Sequence, residues 1–256
     1  MENTKRILSF TRRAVDDYGM IREGDKIAVG VSAGKDSLTL LVALAQLRRF
    51  YPIPFELCAI TVDMGFAGGM DFDPIRRFCE QLDVPYHVVP TEIYKIIFEV
   101  RQESNPCSLC AKMRRGALNN AAKELGCTTV ALGHHFDDVV DTFMLNLFFE
   151  GRVGCFQPVT YLSRIDLHVI RPMLYMPEKD IRYFASHTEL PVIKSPCPAD
   201  KNTEREEMKQ LLSSLEKKYP GLRYRIFGAI QRGEIDGFHL PKGGRMPAQK
   251  DYGQEE

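Results

Sequence analysis

The chain has 256 residues, 44% of them hydrophobic, and its 34 basic residues are matched by 34 acidic ones. That is enough apolar material for one large α/β core with an appendage, and a balanced charge excludes a global basic field, so any nucleic-acid partner must be held by local patches. Apolar stretches such as Leu40–Ala45 are too short to span a bilayer, and Met1-Glu-Asn-Thr-Lys-Arg6 lacks the apolar core of a signal peptide. A cytoplasmic protein with no membrane contact is expected. Its seven cysteines are then ligands, reactive thiols or packing rather than a disulfide framework.

Residues 4–19 read as an amphipathic helix, with Ile7, Leu8, Phe10, Val15 and Tyr18 apolar among basic positions. Ile27, Ala28, Val29 and Val31 form the short apolar run of a central parallel strand, 27–31. A small-residue turn follows, then a helix over 36–50 in which Leu38, Leu41, Leu44 and Leu47 make the buried stripe. Further strands are expected at 56–62, 85–89, 129–132 and 168–170. Helices are expected at 73–82, 112–125, 137–149 and 177–187, with Pro74 and Pro177 near helix starts, where a missing N–H costs little. This alternation predicts a doubly wound, mostly parallel, Rossmann-like α/β sheet. An N-terminal helix, 1–20, precedes the main domain, 21–195. Residues 204–232 read as helical within a separate, more polar unit, 196–238, and the composition of 239–256 predicts a disordered tail.

Ligands of such sheets bind at the carboxyl ends of strands, where Ser32–Ser37, Asp63 and Gly133–Asp138 would lie. Gly34 allows close approach to a ligand, a helix N-terminus offers unpaired N–H groups, and Ser32 and Ser37 add hydroxyls. That is a phosphate cradle, and it implies a nucleotide. A Walker A loop is excluded, because Gly30 and Gly34 are separated by only three residues and Asp36 follows Lys35 where Ser or Thr should stand. No G-x-G-x-x-G exists either. The segment resembles the Ser-Gly-Gly-x-Asp-Ser signature of the PP-loop ATP pyrophosphatases, which cleave ATP to AMP and pyrophosphate. The resemblance implies ATP on Ser32, Ala33, Gly34, Lys35, Asp36 and Ser37. Asp36 would organise phosphate and Mg2+, and Lys35 would neutralise charge. Ala33 departs from the signature by one methyl group, and is strained if the loop needs a positive φ there.

Ala131-Leu-Gly-His-His-Phe-Asp-Asp138 closes the fourth strand and opens the next helix. Asp137 and Asp138 in a first turn are ordinary N-terminal carboxylates beside two histidines. Their place on the same sheet edge favours a site, and Gly-His-His-x-Asp-Asp resembles the second signature block of RNA-modifying PP-loop enzymes. By that resemblance Gly133 and His134 line the nucleotide site, Asp137 or Asp138 holds magnesium or positions a substrate, and Asp63 with Gly65 flanks the adenine.

Pro106-Cys-Ser-Leu-Cys110 stands directly before a helix expected to begin near Ala111, where a thiol has a depressed pKa and ligates metal well. Cys197 sits between Pro196 and Pro198. Cys58, Cys79, Cys127 and Cys155 read as small hydrophobes. A lone CxxC also marks redox pairs and half zinc sites. Three thiolates, Cys107, Cys110 and Cys197, suit a [4Fe-4S] cluster with one iron open. Zinc completed by a His or Cys155, and metal-free thiol chemistry, are the alternatives.

The ordered set of PP-loop motif, Cys107-Ser-Leu-Cys110 leading into Met113-Arg-Arg-Gly116, Gly-His-His-x-Asp-Asp, Ile170-Arg-Pro172 and Glu178-Lys-Asp-Ile181 is similar to the tRNA 2-thiocytidine synthetase family from about residue 25 to 225. The resemblance implies that Cys107, Cys110 and Cys197 hold an oxygen-sensitive cluster and that tRNA, with sulfide or a cysteine desulfurase as sulfur donor, is the partner. A homodimer is an open possibility. Arg114 and Arg115, and Lys217, Lys218, Arg223, Arg225 and Arg232 interleaved with Tyr219, Tyr224 and Phe227, are the candidate RNA surface. The rival functions are thiolation of another tRNA base, uridine, and a non-catalytic iron–sulfur or nucleotide-binding module.

Overall fold

All five expected apolar runs become strands, and a sixth joins them. The computed structural model describes residues 2–101, 106–194, 196–197 and 204–241. In chain order the strands are β1 (Lys26–Gly30), β2 (Glu56–Asp63), β3 (Tyr86–Pro90), β4 (Thr129–Ala131), β5 (Val159–Leu162) and β6 (Leu167–Ile170). They lie in the order β3-β2-β1-β4-β6-β5. Every neighbour is parallel except β5, which pairs antiparallel with β6, Val159 opposite Ile170 and Leu162 opposite Leu167. β5 is a four-residue edge strand of half-exposed residues, so its own pattern carried little signal and the hairpin partner decides it.

From β1 the chain winds outward to β2 and β3, then returns to place β4 on the other side of β1. The crevice between the ends of β1 and β4 is therefore the point at which the winding reverses, where a doubly wound sheet binds ligands.

Alternation along the strands sorts two cores. Ile27, Val29, Leu57, Ala59 and Ala131 face α1 (Glu2–Tyr18), α2 (Lys35–Leu47), α5 (Phe136–Phe149) and α6 (Glu178–Ser186). Ala28, Cys58, Ile60 and Val130 face α4 (Pro106–Glu124), through Leu118, Ala121 and Ala122. Helix α2 is buried on nearly every side from Ser37 to Leu47, as befits a helix wedged between the sheet, α1 and α6. It ends at Leu47, three residues before the expected stop.

Three expectations need correction. The C-terminal helices α7 (Glu204–Lys218) and α8 (Leu222–Arg232) do not form a separate unit. Met208, Leu212, Phe227 and Ile230 belong to the main core, and Phe227 stacks on Phe136, 4.9 Å between centroids. The span 204–232 breaks at Pro220-Gly221, where Gly221 takes φ +79° before α8. The tail predicted from residue 239 begins too early: the His239 carbonyl accepts bonds from Tyr18 and Gln231. Residues 242–256 lie outside the described residues. Among the described residues no helix is long and apolar enough to cross a membrane.

Candidate active site

The turn after β1 is built by one hydroxyl. Ser37 Oγ accepts the Ser32 N–H at 3.1 Å and the Ser32 hydroxyl at 3.2 Å, and donates to the Gly34 carbonyl at 3.0 Å. This ties the loop to the first turn of α2, whose free N–H groups open toward the crevice. Gly34 is the N-cap, in extended conformation. Ala33 takes φ +63°, the left-handed region in which a side chain is strained. Its methyl group is buried in the core and its carbonyl accepts the Ile193 N–H at 3.0 Å. Burial and that bond offset the strain which the departure from glycine leads one to expect.

Gly133, in the β4–α5 turn, is packed against this loop. A Cβ there would lie 3.2 Å from both the Asp36 carbonyl carbon and the Ser37 nitrogen. The two signature segments, about a hundred residues apart in sequence, thus meet in van der Waals contact, and their side chains share a cavity of about 480 Å3. Part of its lining is apolar, from Gly30, Val31, Ile60, Val62, Leu118 and Leu132. The rest includes Ser32, Asp36, Ser37, His134 and four arginines, Arg114, Arg115, Arg171 and Arg205. A cavity with both apolar and cationic lining is complementary to a purine carrying a polyphosphate. Asp36 is the only carboxylate among the described lining residues.

Lys35 does not reach into the cavity. Its Nζ stands 2.9 Å from Asp36 and 3.1 Å from Glu178. Burial opposes its charge, but the two carboxylates outweigh burial and raise its pKa. Burial likewise pushes Glu178 up, and Lys35, Lys209 and Arg182 reverse this and hold it at about 2. Glu178 was quoted in the sequence only as part of a motif. Its role, bracing the phosphate loop through Lys35, needed the tertiary contact.

Asp137 and Asp138 are also structural in these contacts, and neither lines the cavity. Asp137 accepts the Glu178 N–H at 2.7 Å and lies 3.3 Å from Arg223. Asp138 accepts the His135 N–H at 2.9 Å, closing the start of α5, and lies 3.5 Å from Arg205. Asp63 is absent from the cavity wall as well; it accepts the Gly65 N–H and, through its carbonyl, the Thr91 N–H and hydroxyl. A second, larger cavity of about 680 Å3, lined by Asp137, Glu178, Arg182, Lys209 and Arg223 among others, contains no residue of the Ser32–Ser37 loop.

His134 lines the smaller cavity and stacks on Phe156, 4.8 Å between centroids, with a buried Nδ1 that has no hydrogen-bond partner. Burial and the Arg171 charge push its pKa down to about 4, so the imidazole is neutral at physiological pH.

The helix carrying the CxxC begins earlier than expected, at Pro106, so Cys107 and Cys110 stand in its first turn, three residues apart on one face. Cys110 packs beside Met64, Ile93 and Ile97. Burial raises its pKa, and the Cys197 and Cys107 thiols push the same way against Arg114. The expected acidic thiol is thus absent at Cys110, because desolvation and two thiol neighbours outweigh the helix terminus. Cys110 therefore feels the thiols of Cys107, in its own helix, and of Cys197, in a distant segment. Among the described residues no three His, Cys, Asp or Glu side chains converge as a ready-made metal site. The donor set is three soft thiols, chemistry that fits an iron–sulfur cluster. Ala111, next after Cys110, is on the wall of the nucleotide cavity.

The expected RNA surface divides. Arg114 and Arg115 are exposed at the cavity mouth. Lys217 and Lys218 are exposed at the end of α7, Lys218 lying over the Tyr219 ring. Arg223, Tyr224 and Phe227 are interior: Arg223 pairs with Asp141 and Asp137, Tyr224 packs on Phe136, and Phe227 is fully buried. Arg225 donates back to the Pro220 and Tyr219 carbonyls. The aromatic positions Tyr224 and Phe227 of α8 pack on the core.

A phosphate-cradling loop at the reversal point of a doubly wound sheet, joined to a Gly-His-His turn, defines a PP-loop nucleotide-binding protein, and residues 4–216 match the PP-loop domain model. Relatives narrow this. The tRNA-cytidine(32) 2-sulfurtransferase of Pelobacter propionicus is 42% identical over 229 residues, covering 88% of this chain and 85% of its own. That of Geobacter sulfurreducens is 41% identical over 88% of this chain and 89% of its own. The chain belongs to the tRNA-cytidine(32) 2-sulfurtransferase family. Among solved structures, the U34-tRNA thiolase NcsA from Methanococcus maripaludis, with its [4Fe-4S] cluster, superposes with a TM-score of 0.72 at 29% identity, over 88% of this chain and 77% of that one.

Proposed function

We propose that this chain is an ATP-consuming tRNA thiolase that replaces the 2-oxygen of a cytidine in the anticodon loop with sulfur, releasing AMP and pyrophosphate. The observation that carries the reading is a single cavity whose lining includes Ser32, Asp36 and Ser37 as well as Ala111, the neighbour of Cys110. A cavity that joins a phosphate cradle to the foot of the CxxC helix is suited to coupling ATP cleavage to sulfur delivery.

In this reading the purine packs on the apolar lining of the cavity and the first-turn N–H groups of α2, with Ser32 and Ser37, hold the pyrophosphate portion. Asp36 binds Mg2+ on the phosphates, while Lys35 and Glu178 brace the loop from behind. The cytidine O2 attacks the α-phosphorus, forming the new O–P bond as the bond to pyrophosphate breaks. The adenylated oxygen then leaves C2 as AMP when sulfur bonds there. A [4Fe-4S] cluster held by Cys107, Cys110 and Cys197 would supply that sulfur as the nucleophile, drawn from sulfide directly, or from a cysteine desulfurase's persulfide with a thiol reductant giving the two electrons that release it at the sulfide level. The neutral His134 and the Phe156 ring offer flat faces on which an everted base can lie, and Arg114 and Arg115 at the mouth match the RNA backbone.

The test is anaerobic incubation of the protein with unmodified tRNA, Mg-ATP and sulfide, followed by nucleoside analysis. One 2-thiocytidine per AMP is expected. ADP plus phosphate as products would overturn the PP-loop chemistry, and thiouridine would move the target to the base named for the archaeal neighbour.

A further inference from the structure

Arg171 is a charge lining the cavity to which the proposed chemistry assigns no role. It follows β6 directly, is only 7% exposed, and lines the same cavity as the phosphate loop. Its Nη1 donates to the Gln157 carbonyl and to Thr160 Oγ1, and its guanidinium lies 5.0 Å from the centre of the Phe156 ring. Its Nε is buried with no hydrogen-bond partner. Leaving a guanidinium N–H unpaired in the interior is costly. Among the described residues no carboxylate is paired with it. Burial first, and then the Arg115 charge, lower its pKa to about 10. A fixed guanidinium, anchored through Nη1 and lining the cavity without a carboxylate partner, is suited to receive an anion.

We infer that the Arg171 guanidinium binds the α-phosphate of the nucleotide, in ATP and in the AMP that leaves the base; this rests on the adenylating reading above. Three features favour the nucleotide over an RNA phosphate. Arg171 lines the same cavity as Ser32, Ser37 and His134, its burial keeps a polymer backbone away, and Arg114 and Arg115 are exposed cations of that lining. The α-phosphate is also the group on which negative charge redistributes as the pyrophosphate bond breaks, where a fixed, desolvated cation is most effective.

The experiment measures AMP, adenosine and tRNA binding to the full chain carrying Arg171→Met or Arg171→Lys. AMP affinity should fall ~10- to 100-fold in Arg171→Met, the loss expected of a charge-assisted hydrogen bond. Adenosine and tRNA affinities should stay unchanged, and Arg171→Lys should recover part of the loss. Unchanged AMP affinity in Arg171→Met overturns the inference. So does a fall in tRNA affinity alone, which would assign Arg171 to the RNA backbone. Equal losses for AMP and adenosine would mark a wall residue rather than a phosphate ligand. If either variant fails to fold, a crystal structure of the unaltered chain with AMP decides: an Arg171 guanidinium N–H within hydrogen-bond distance of a phosphate oxygen is expected, and a phosphate held without one refutes the inference. Failure of the unaltered chain to bind AMP at all would instead bring down the adenylating reading, and this inference with it.

Discussion

Adding one methyl group at residue 133 tests whether the phosphate loop is positioned by the Gly-His-His turn. In Gly133→Ala the new Cβ would lie 3.2 Å from the Asp36 carbonyl carbon and the Ser37 nitrogen, and 3.3 Å from the Asp36 carbonyl oxygen. All three are backbone atoms, so no side chain can swing aside. Ordinary contact begins at 3.4 Å, so the loop or the turn must retreat by a few tenths of an ångström. Overpacking of this kind costs ~1–3 kcal/mol. A shift of ~1 Å at reacting groups can cost ~100-fold in rate, so a fraction of that predicts roughly a 10-fold fall in kcat/KM for ATP. Gly133 does not have a positive φ, so backbone strain does not contribute and the effect isolates the contact. Gly116→Ala is the control: it lies on the exposed side of α4 with no atom within 4 Å of its added Cβ, and should gain ~0.5–1 kcal/mol from helix propensity without altering nucleotide affinity. AMP formation and calorimetric ATP binding report the outcome. Wild-type kcat/KM and affinity in Gly133→Ala would show slack between the two segments and refute the reasoning.

Three other outcomes are expected. Glu178, whose carboxyl is held at about 2 against an ordinary 4.5, contributes stability that is complete above pH ~4.5 and drains away as pH falls toward ~2; Glu178→Gln should lose ~2–3 kcal/mol at neutral pH in urea unfolding, with the gap to wild type closing through that window. A pH-independent gap would show that the ion pair with Lys35 is not its source. Arg223→Met strands Asp137 and the buried Asp141 and should cost ~3–5 kcal/mol while sparing the tRNA affinity of the folded protein; reduced tRNA binding at unchanged stability would return Arg223 to the RNA surface. Ala at Cys107, Cys110 or Cys197 should abolish thiolation with AMP binding intact, whereas Cys58→Ala and Cys79→Ala, buried in the two cores, should stay active; full thiolation by Cys197→Ala would sink the three-thiol assignment.

The parallel sheet, the phosphate cradle and its exclusion from the Walker class were legible in the chain, because hydrophobic period and turn chemistry are local properties. The residues from Ile27 to Ser37 announce strand, turn and helix start without help from elsewhere, and even the positive φ at Ala33 was signalled by a departure from glycine. Charge pairing is not local. Lys35 reads as a phosphate ligand until Glu178, far along the chain, is seen beside it at 3.1 Å, and Asp137 reads as a metal carboxylate until it is found holding the Glu178 N–H at 2.7 Å. The basic-aromatic pattern of α8 could face RNA or the core equally well, and only packing against Phe136 turned Tyr224 and Phe227 inward. Arg171 shows the same division. Its place at the end of a strand was visible in Ile170-Arg-Pro172, but an unpaired Nε in a buried chamber exists only once β6 lies beside β4. Sequence determines which residues are able to bear charge or bury surface, and the fold determines which of those charges find each other and which are left for a ligand.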